Sequence, residues 1–318
     1  MTQRQNIIAQ LRRLVVHDQW HIGLTHLDDV RELRAWQRPN SVTWMPVARG
    51  TYRADPFIVT HNGRTAVYYE EYVFAQDRGH LACREVTRAA DGSIRFGAAL
   101  RIDGPRSHRS YPYVFADGDE LWMVPEESEC GNIMLYTCTT FPDTWEPVGE
   151  LVADFPGIDP TIVYHDGRYW LFATRADDPN ATLFIFFADT LTGPWQPHAQ
   201  YPARSHTPDV RPAGRPFVVD DTLYRPAQKH DPVRGYGSTI VLYRIDTLTP
   251  TDFRETPVGT LAPWAPHMRG MHTVCYDPAS QLCAFDIKTK ACLNDVLAKL
   301  WAKVTSHIRR HYVPVTFL

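Results

Sequence analysis

Five stretches of the 318-residue chain set a polar or charged residue directly before an apolar, strand-like run. They are Asp55-Pro56-Phe57-Ile58, Tyr111-Pro112-Tyr113-Val114, Asp159-Pro160-Thr161-Ile162, Arg215-Pro216-Phe217-Val218 and His272-Thr273-Val274-Cys275. In the fourth stretch Arg211, before Pro212, is a second candidate for the same position. Charges beside strongly apolar segments are costly to desolvate unless they are paired or used. Two carboxylates, a phenol, a guanidinium and an imidazole are groups that bind a polar ligand and move protons on it. A second set follows at the ends of the next runs: Glu70-Glu71, Glu126-Glu127, Thr174-Arg175, Gln228 and Asp286. Side chains alternate faces along a strand, so one member of each adjacent pair faces inward; Glu71 and Glu126 are read as those members. Carboxyls ~6.5–9.5 Å apart can activate a water and protonate a leaving oxygen, and a closer pair suits a nucleophile. The acids therefore point to chemistry at a glycosidic bond, with Tyr111, Arg175, Arg211, Arg215, Gln228 and His272 as ligand-binding groups.

These residues are far apart in sequence, so the fold must gather them. Each stretch runs into a turn and a second aromatic-rich strand: Asn62-Gly63, Asp117-Gly118, Asp166-Gly167, Asp220-Asp221 and Asp277-Pro278 mark the turns. Asn-Gly and Asp-Gly between apolar runs are strong hairpin signals, because both central residues must take positive φ. The unit recurs about every 50 residues with material for about four strands, the pattern of a β-propeller blade. The expected fold is all-β: a five-bladed β-propeller over residues 45–290, with short flanking N- and C-terminal helices. The first strand of each blade would line a central channel. A β-sandwich of unrelated hairpins is the competing architecture, and the even spacing counts against it.

Residues 1–44 are read as an N-terminal helix, through Ile7, Ile8, Leu11, Leu14 and Val15, and a lead-in. Residues 291–318 are read as a basic amphipathic helix and tail, with Leu293, Val296, Leu297, Leu300, Trp301, Val304 and Ile308 opposite Lys299, Lys303, Arg309 and Arg310. Such a helix packs on the ring or makes peripheral contact with an anionic membrane.

Composition narrows the function. The chain is 44% hydrophobic with a formal net charge of -3, which argues against general nucleic-acid binding through phosphates. Six cysteines form no C-x-x-C pair, so a zinc ribbon is not expected and the thiols read as reduced. No apolar h-region opens the sequence and no run is long enough to span a bilayer, so the expected setting is cytoplasmic. G-x-S-x-G, P-loop and dinucleotide fingerprints are absent.

Ala54-Asp55-Pro56-Phe57-Ile58 and Gly157-Ile158-Asp159-Pro160-Thr161, with Asp166-Gly167 and Tyr169-Trp170-Leu171, resemble the acidic blade motifs of family 43 and 62 glycoside hydrolases. That resemblance implies a general base at Asp55, a residue tuning the acid at Asp159, and His272 near the axis beside a bound calcium or water. Those hydrolases carry an acid Glu in a later blade; no clean equivalent follows Asp159, and Glu126 or Glu71 would substitute. A closer resemblance is to the N-terminal domain of glucosamine inositolphosphorylceramide transferases and stand-alone bacterial relatives. It rests on Arg109-Ser110-Tyr111-Pro112-Tyr113, Val124-Pro125-Glu126-Glu127, Phe141-Pro142-Asp143-Thr144-Trp145, Arg211-Pro212-Ala213-Gly214 and Leu223-Tyr224-Arg225-Pro226-Ala227-Gln228. It implies a carbohydrate or glycolipid substrate and a role in building surface glycans. The expected activity is glycosyl transfer or glycoside hydrolysis in the funnel, with Asp55 as base or nucleophile. Arg215 or Arg211 would hold an anionic group or a hydroxyl. The alternatives are a non-catalytic sugar-binding propeller, in which Arg215 and Arg175 neutralise Asp55 and Glu126, and a protein scaffold.

Overall fold

A computed structural model describes residues 18–232 and 234–290. Both expected helices, Ile7–Val15 and Leu293–Ile308, lie outside the described residues, as does the membrane contact assigned to the second. Among the described residues, no helix is long and apolar enough to cross a membrane. Five antiparallel sheets of four or five strands form the five blades of a propeller.

Blade 1 runs through Thr51–His61, Arg64–Val73, Arg78–Arg88 and Ile94–Phe96. Blade 2 comprises Ser110–Asp117, Glu120–Glu126, Ile133–Thr140 and Thr144–Val152. Blade 3 comprises Gly157–His165, Arg168–Arg175, Thr182–Ala188 and Gln196–Pro197. Blade 4 comprises Phe217–Val219, Thr222–Asp231, Gly235–Leu248 and Phe253–Leu261. Blade 5 is composite: Val274–Asp277 and Leu282–Lys290 are completed by Asp18–His26 and Thr43–Trp44 from the other end of the chain.

Among the described residues the ring therefore includes Asp18–His26, ahead of the expected boundary at residue 45. Residues 18–26 pair antiparallel with Leu282–Lys290 along their whole length, with Ile22 opposite Asp286. This closure removes the exposed edge an open ring would leave. Its sequence signal is the alternation Gln19-Trp20-His21-Ile22-Gly23-Leu24-Thr25, in which Trp20, Ile22 and Leu24 are buried.

The turns take the conformations their residues favour. Asn62-Gly63, Asp166-Gly167 and Asp220-Asp221 are two-residue loops with positive φ at both positions. Between blades 1 and 2 the core is aromatic: Phe57 meets Tyr111 and Tyr113 edge-on at ring distances of 4.8 and 5.3 Å. The cysteines other than Cys292, which is outside the described residues, are free thiols.

At the channel, the first strands of blades 1, 2 and 3 break register at the same place, between Ala54 and Phe57, Ser110 and Tyr113, and Ile158 and Thr161. The residue before the proline is left-handed each time: φ is 54° at Asp55, 44° at Tyr111 and 49° at Asp159. For non-glycine residues this costs of order 1–3 kcal/mol each and persists only where the surroundings over-determine it. The surroundings here are acidic. The Asp55 N–H donates to Asp286 Oδ2 (3.1 Å), that of Tyr111 to Asp55 Oδ2 (3.3 Å), and that of Asp159 to Glu126 Oε2 (3.3 Å). Each strained amide thus meets a carboxylate of the preceding blade.

Candidate active site

The bulges turn two rings of side chains toward one end of the channel. Asp55, Tyr111, Asp159, Arg211 and His272 form the first ring. Glu70, Glu126, Thr174, Gln228 and Asp286 form the second, one per blade. The cross-strand register fixes the second: Ala54 is opposite Glu70, Ser110 opposite Glu126, and Ile158 opposite Thr174. Above them lies a cavity of about 270 Å³. Its wall carries Asp55, Glu70, Glu126, Arg211 and His272, and its rim carries Trp20, Tyr52, His108, Asn180 and Tyr236.

Three expected site residues lie elsewhere. Glu71 is not the inward member of its pair; it faces away and receives Arg53 Nη2 at 2.6 Å, with His80 Nε2 at 3.3 Å. Those contacts, the His80 hydrogen bond first, pull its pKa down to about 2. Arg175, next to the inward Thr174, pairs with Asp177 at 3.3 Å and lies over the Phe155 ring. Arg215 is at the opposite end of the channel, donating to the carbonyls of Val114 (2.6 Å) and Tyr276 (3.3 Å). There it lines a separate cavity of about 170 Å³ with Tyr113, Tyr164 and Tyr169. Arg211 takes the place Arg215 was expected to fill, because Arg211-Pro212 and not Arg215-Pro216 matches the dipeptides of the other blades. The ion pairs expected for a purely binding propeller, Arg215 with Asp55 and Arg175 with Glu126, do not form.

Tyr111 and Gln228 lie beneath the cavity. The Tyr111 hydroxyl is 2.9 Å from Thr161 Oγ1 and accepts the Gly214 N–H at 2.8 Å, bridging blades across the axis. Gln228 Nε2 donates to Asp159 Oδ2 (2.5 Å) and to the Pro212 carbonyl (2.8 Å).

Asp159 is the most heavily paired acid. Arg211 grips it twice, Nε to Oδ2 at 2.5 Å and Nη2 to Oδ1 at 3.2 Å. The same guanidinium lies 3.6 Å from Glu126 Oε2 and 4.8 Å from the Tyr236 ring centre. Its charge is therefore spent on internal acids, which leaves little for an anionic ligand.

His272 is held on both sides. Its Nδ1 lies 2.5 Å from Asp286 Oδ2, its Nε2 lies 3.6 Å from Asp55 Oδ1, and its ring stacks on Trp20 at 3.8 Å. Burial alone would lower the imidazole pKa; Asp286 and Asp55 outweigh it and the net shift is upward. Thr273 Oγ1 donates to Asp55 Oδ1 at 3.0 Å. Asp55 is pushed up to about 6, by burial first, against the pull of His272. Glu70 and Glu126 are both raised well above the usual carboxylate range, by burial first and then by neighbouring acids.

Asp55, His272 and Asp286 bring potential ligand atoms within 4.8 Å of one another. The trio does not suit the calcium expected beside His272. Asp286 Oδ1 already accepts the N–H groups of His272 (2.9 Å) and Thr273 (3.1 Å), and its Oδ2 is engaged by Asp55 N–H and the imidazole. What remains is one carboxylate and one ring nitrogen, far from the six to eight oxygens calcium takes.

Of the residues expected from sequence, the structure brings Asp55, Tyr111, Glu126, Asp159, Arg211, Gln228 and His272 together at this end of the channel; Glu70 stands where Glu71 was expected, and Trp20, Tyr52, His108 and Tyr236 were not anticipated. Of those, only Trp20 had a local signal, in the alternation of its strand.

Residues 41–269 match the family described as "Glucosamine inositolphosphorylceramide transferase 1, N-terminal". The full-length relative of that name from Oryza sativa subsp. japonica is 30% identical over 266 residues, covering 76% of this chain and 35% of the relative. The Arabidopsis thaliana protein of that name is 29% identical over 214 residues, covering 65% of this chain and 27% of the relative. The chain thus spans about a third of the length of the curated relatives it matches. Among solved structures, B. subtilis levansucrase aligns with a TM-score of 0.51 at 10% identity, over 66% of this chain and 69% of that one. At that identity the likeness concerns the fold alone.

Proposed function

The chain belongs to the family defined by the N-terminal region of glucosamine inositolphosphorylceramide transferase 1, and on that premise we propose that its propeller funnel acts on a glycosidic bond. The observation that carries this reading is the convergence of three acids on one small cavity: Asp55, pushed up to about 6, beside Glu70 and Glu126, which burial pushes well above the usual carboxylate range. A base and an acid of separated pKa are what glycosyl chemistry requires at neutral pH. Tyr52 and Tyr236, with the edge of Trp20, supply aromatic surface for the apolar face of a sugar.

In this reading Asp55 takes the proton of the attacking hydroxyl as that oxygen bonds to the anomeric carbon. The bond from that carbon to the leaving oxygen breaks, its electron pair stays on the oxygen, and a glutamic acid of the wall supplies the proton. Asp159 acts through its grip on Arg211, which stands against Glu126. The relatives are named transferases, which favours a sugar hydroxyl over water as the attacking group, in glycan or glycolipid synthesis.

The test replaces Asp55 with Asn. Wild type and D55N are assayed on nitrophenyl pyranosides and furanosides, with and without acceptor sugars, and on sugar-nucleotide and sugar-phosphate donors. A loss of roughly 10²–10⁴-fold on any substrate the wild type turns over is expected. Unchanged turnover removes Asp55 from the chemistry, and saturable sugar binding with no turnover by the wild type favours a binding module.

A further inference from the structure

Two buried glutamates line the cavity, both with pKa values raised by burial, and their surroundings differ. Glu126 Oε2 is occupied by the Asp159 N–H at 3.3 Å and approached by Arg211 at 3.6 Å. Glu70 is 4% exposed, and its Oε1 is buried without a hydrogen-bond partner. A buried, unpaired carboxyl oxygen at a ligand-sized cavity calls for an explanation.

Gly79 supplies part of one. A Cβ there would stand 2.1 Å from Glu70 Oε1 and 2.8 Å from the Arg109 carbonyl, so only glycine leaves room for this carboxyl. The Gly79 N–H also donates to His108 Nδ1 at 3.0 Å. A ring nitrogen that accepts a hydrogen bond carries no proton, so the neutral imidazole bears its proton on Nε2. That nitrogen lies 3.7 Å from Glu70 Oε1. Burial, first among the causes, holds the His108 pKa below its usual value and opposes a second proton.

We infer that Glu70 is the proton donor of the cavity and that His108, locked by Gly79 into its Nε2–H tautomer, positions the donated proton. This deepens the glycosidic reading and rests on it. The Nε2–H addresses Oε1 and makes it the acceptor oxygen, which leaves the acid proton on Oε2. The 3.7 Å separation is too long for a hydrogen bond in the free protein, and such contacts tighten when a ligand orders the wall. The other groups facing Glu70 are Asp55, Glu126 and Asp159, which favour its neutral form, and Arg211, which opposes it. In the reaction the Oε2 proton passes to the leaving oxygen as the glycosidic bond breaks. Asp55 gains the proton of the attacking hydroxyl, and exchange with water resets both acids.

Two measurements test the inference. In protein labelled with ¹³C at glutamate Cδ and ¹⁵N in histidine, the Glu70 signal is assigned by its loss in Glu70→Gln. It should still report a protonated carboxyl at pH 6, where a glutamic acid of pKa about 4.3 is almost wholly ionised. His108 should show the Nε2–H tautomer. An ionised Glu70 at pH 5, or a His108 proton on Nδ1, overturns the inference whether or not a substrate is known. The second measurement compares alkyl and nitrophenyl glycosides, since a nitrophenolate leaves without help from an acid. E70Q should lose roughly 10²–10⁴-fold on the alkyl substrate and far less on the nitrophenyl one, whereas Glu126→Gln should affect both alike. His108→Gln, which keeps an N–H donor, should recover most of the kcat lost in His108→Ala, with KM little changed. Equal losses for E70Q on both substrates overturn the assignment while leaving Asp55 in place; unchanged turnover in D55N instead overturns the function of the cavity.

Discussion

The cavity has two unlike walls. On the side of blades 3 and 4, Asp159 is met by the Nε and Nη2 groups of the Arg211 guanidinium and by Gln228, so both its oxygens are matched. On the side of blades 5 and 1, Glu70 keeps an unpartnered oxygen, and Asp55 shares a histidine that Asp286 already holds. A matched buried pair fixes geometry. Acids matched only in part, as Asp55 and Glu70 are, have their pKa values raised by burial and can exchange protons. The fold thus places a charge-matched wall opposite one whose acids are only partly matched, and the proposed reaction assigns proton transfer to the second.

The contrast predicts opposite responses to substitution. Arg211→Met should destabilise the protein by about 3–5 kcal/mol, because it strands Asp159 in a dry site. Urea denaturation near pH 7 measures this, and a loss below about 1 kcal/mol would mean the wall is not held by that pair. Asp55→Asn should abolish turnover yet leave stability at pH 7 equal to wild type or higher, since the fold favours the uncharged side chain.

The pH dependence follows with its sign. The Asp55 pKa is raised from 3.8 to about 6, so its contribution is fully present below pH 3.8 and lost as pH rises through 6. The groups around it are His272, Asp159, Asp286 and Arg211. Asp55 by itself accounts for a loss on the order of 3 kcal/mol between pH 4 and pH 7. The stability of D55N should fall less steeply over that range by this amount, and identical pH profiles for the two proteins would contradict it. Turnover should rise through pH 6 as Asp55 ionises.

Smaller effects are expected outside the cavity. Glu71→Gln removes the anion facing Arg53, which is 2% exposed, and should cost about 1–3 kcal/mol in denaturation with turnover unchanged. Arg175→Ala breaks an ion pair whose partners are 33% and 69% exposed, and should shift stability by no more than about 0.5 kcal/mol.

The architecture was legible because each blade announces itself with the same turn chemistry, and Asn62-Gly63 and Asp166-Gly167 are local signals. The register in blade 4 was not. Its outer strands are long, but Phe217–Val219 is short and Gly214, with φ at 116°, turns the chain just before it. Counting back from the turn therefore lands on Arg215-Pro216, four residues past Arg211-Pro212. Glu70 and Glu71 were a choice of parity. The bulge at Asp55 breaks the alternation on the neighbouring strand, so only the observed register, Ala54 opposite Glu70, decides it. His108 and Tyr236 were invisible because nothing in their own segments marks them; they reach the cavity through the ring.

The most direct measurement is the crystallographic position of a sugar soaked into D55N, where turnover is blocked and binding is kept. The account predicts a ring at the cavity mouth among Trp20, Tyr52 and Tyr236, with its anomeric carbon facing residue 55 and its glycosidic oxygen facing Glu70. A sugar found only at the opposite end of the channel, beside Arg215 and Tyr164, or an empty funnel at saturating sugar, would contradict it.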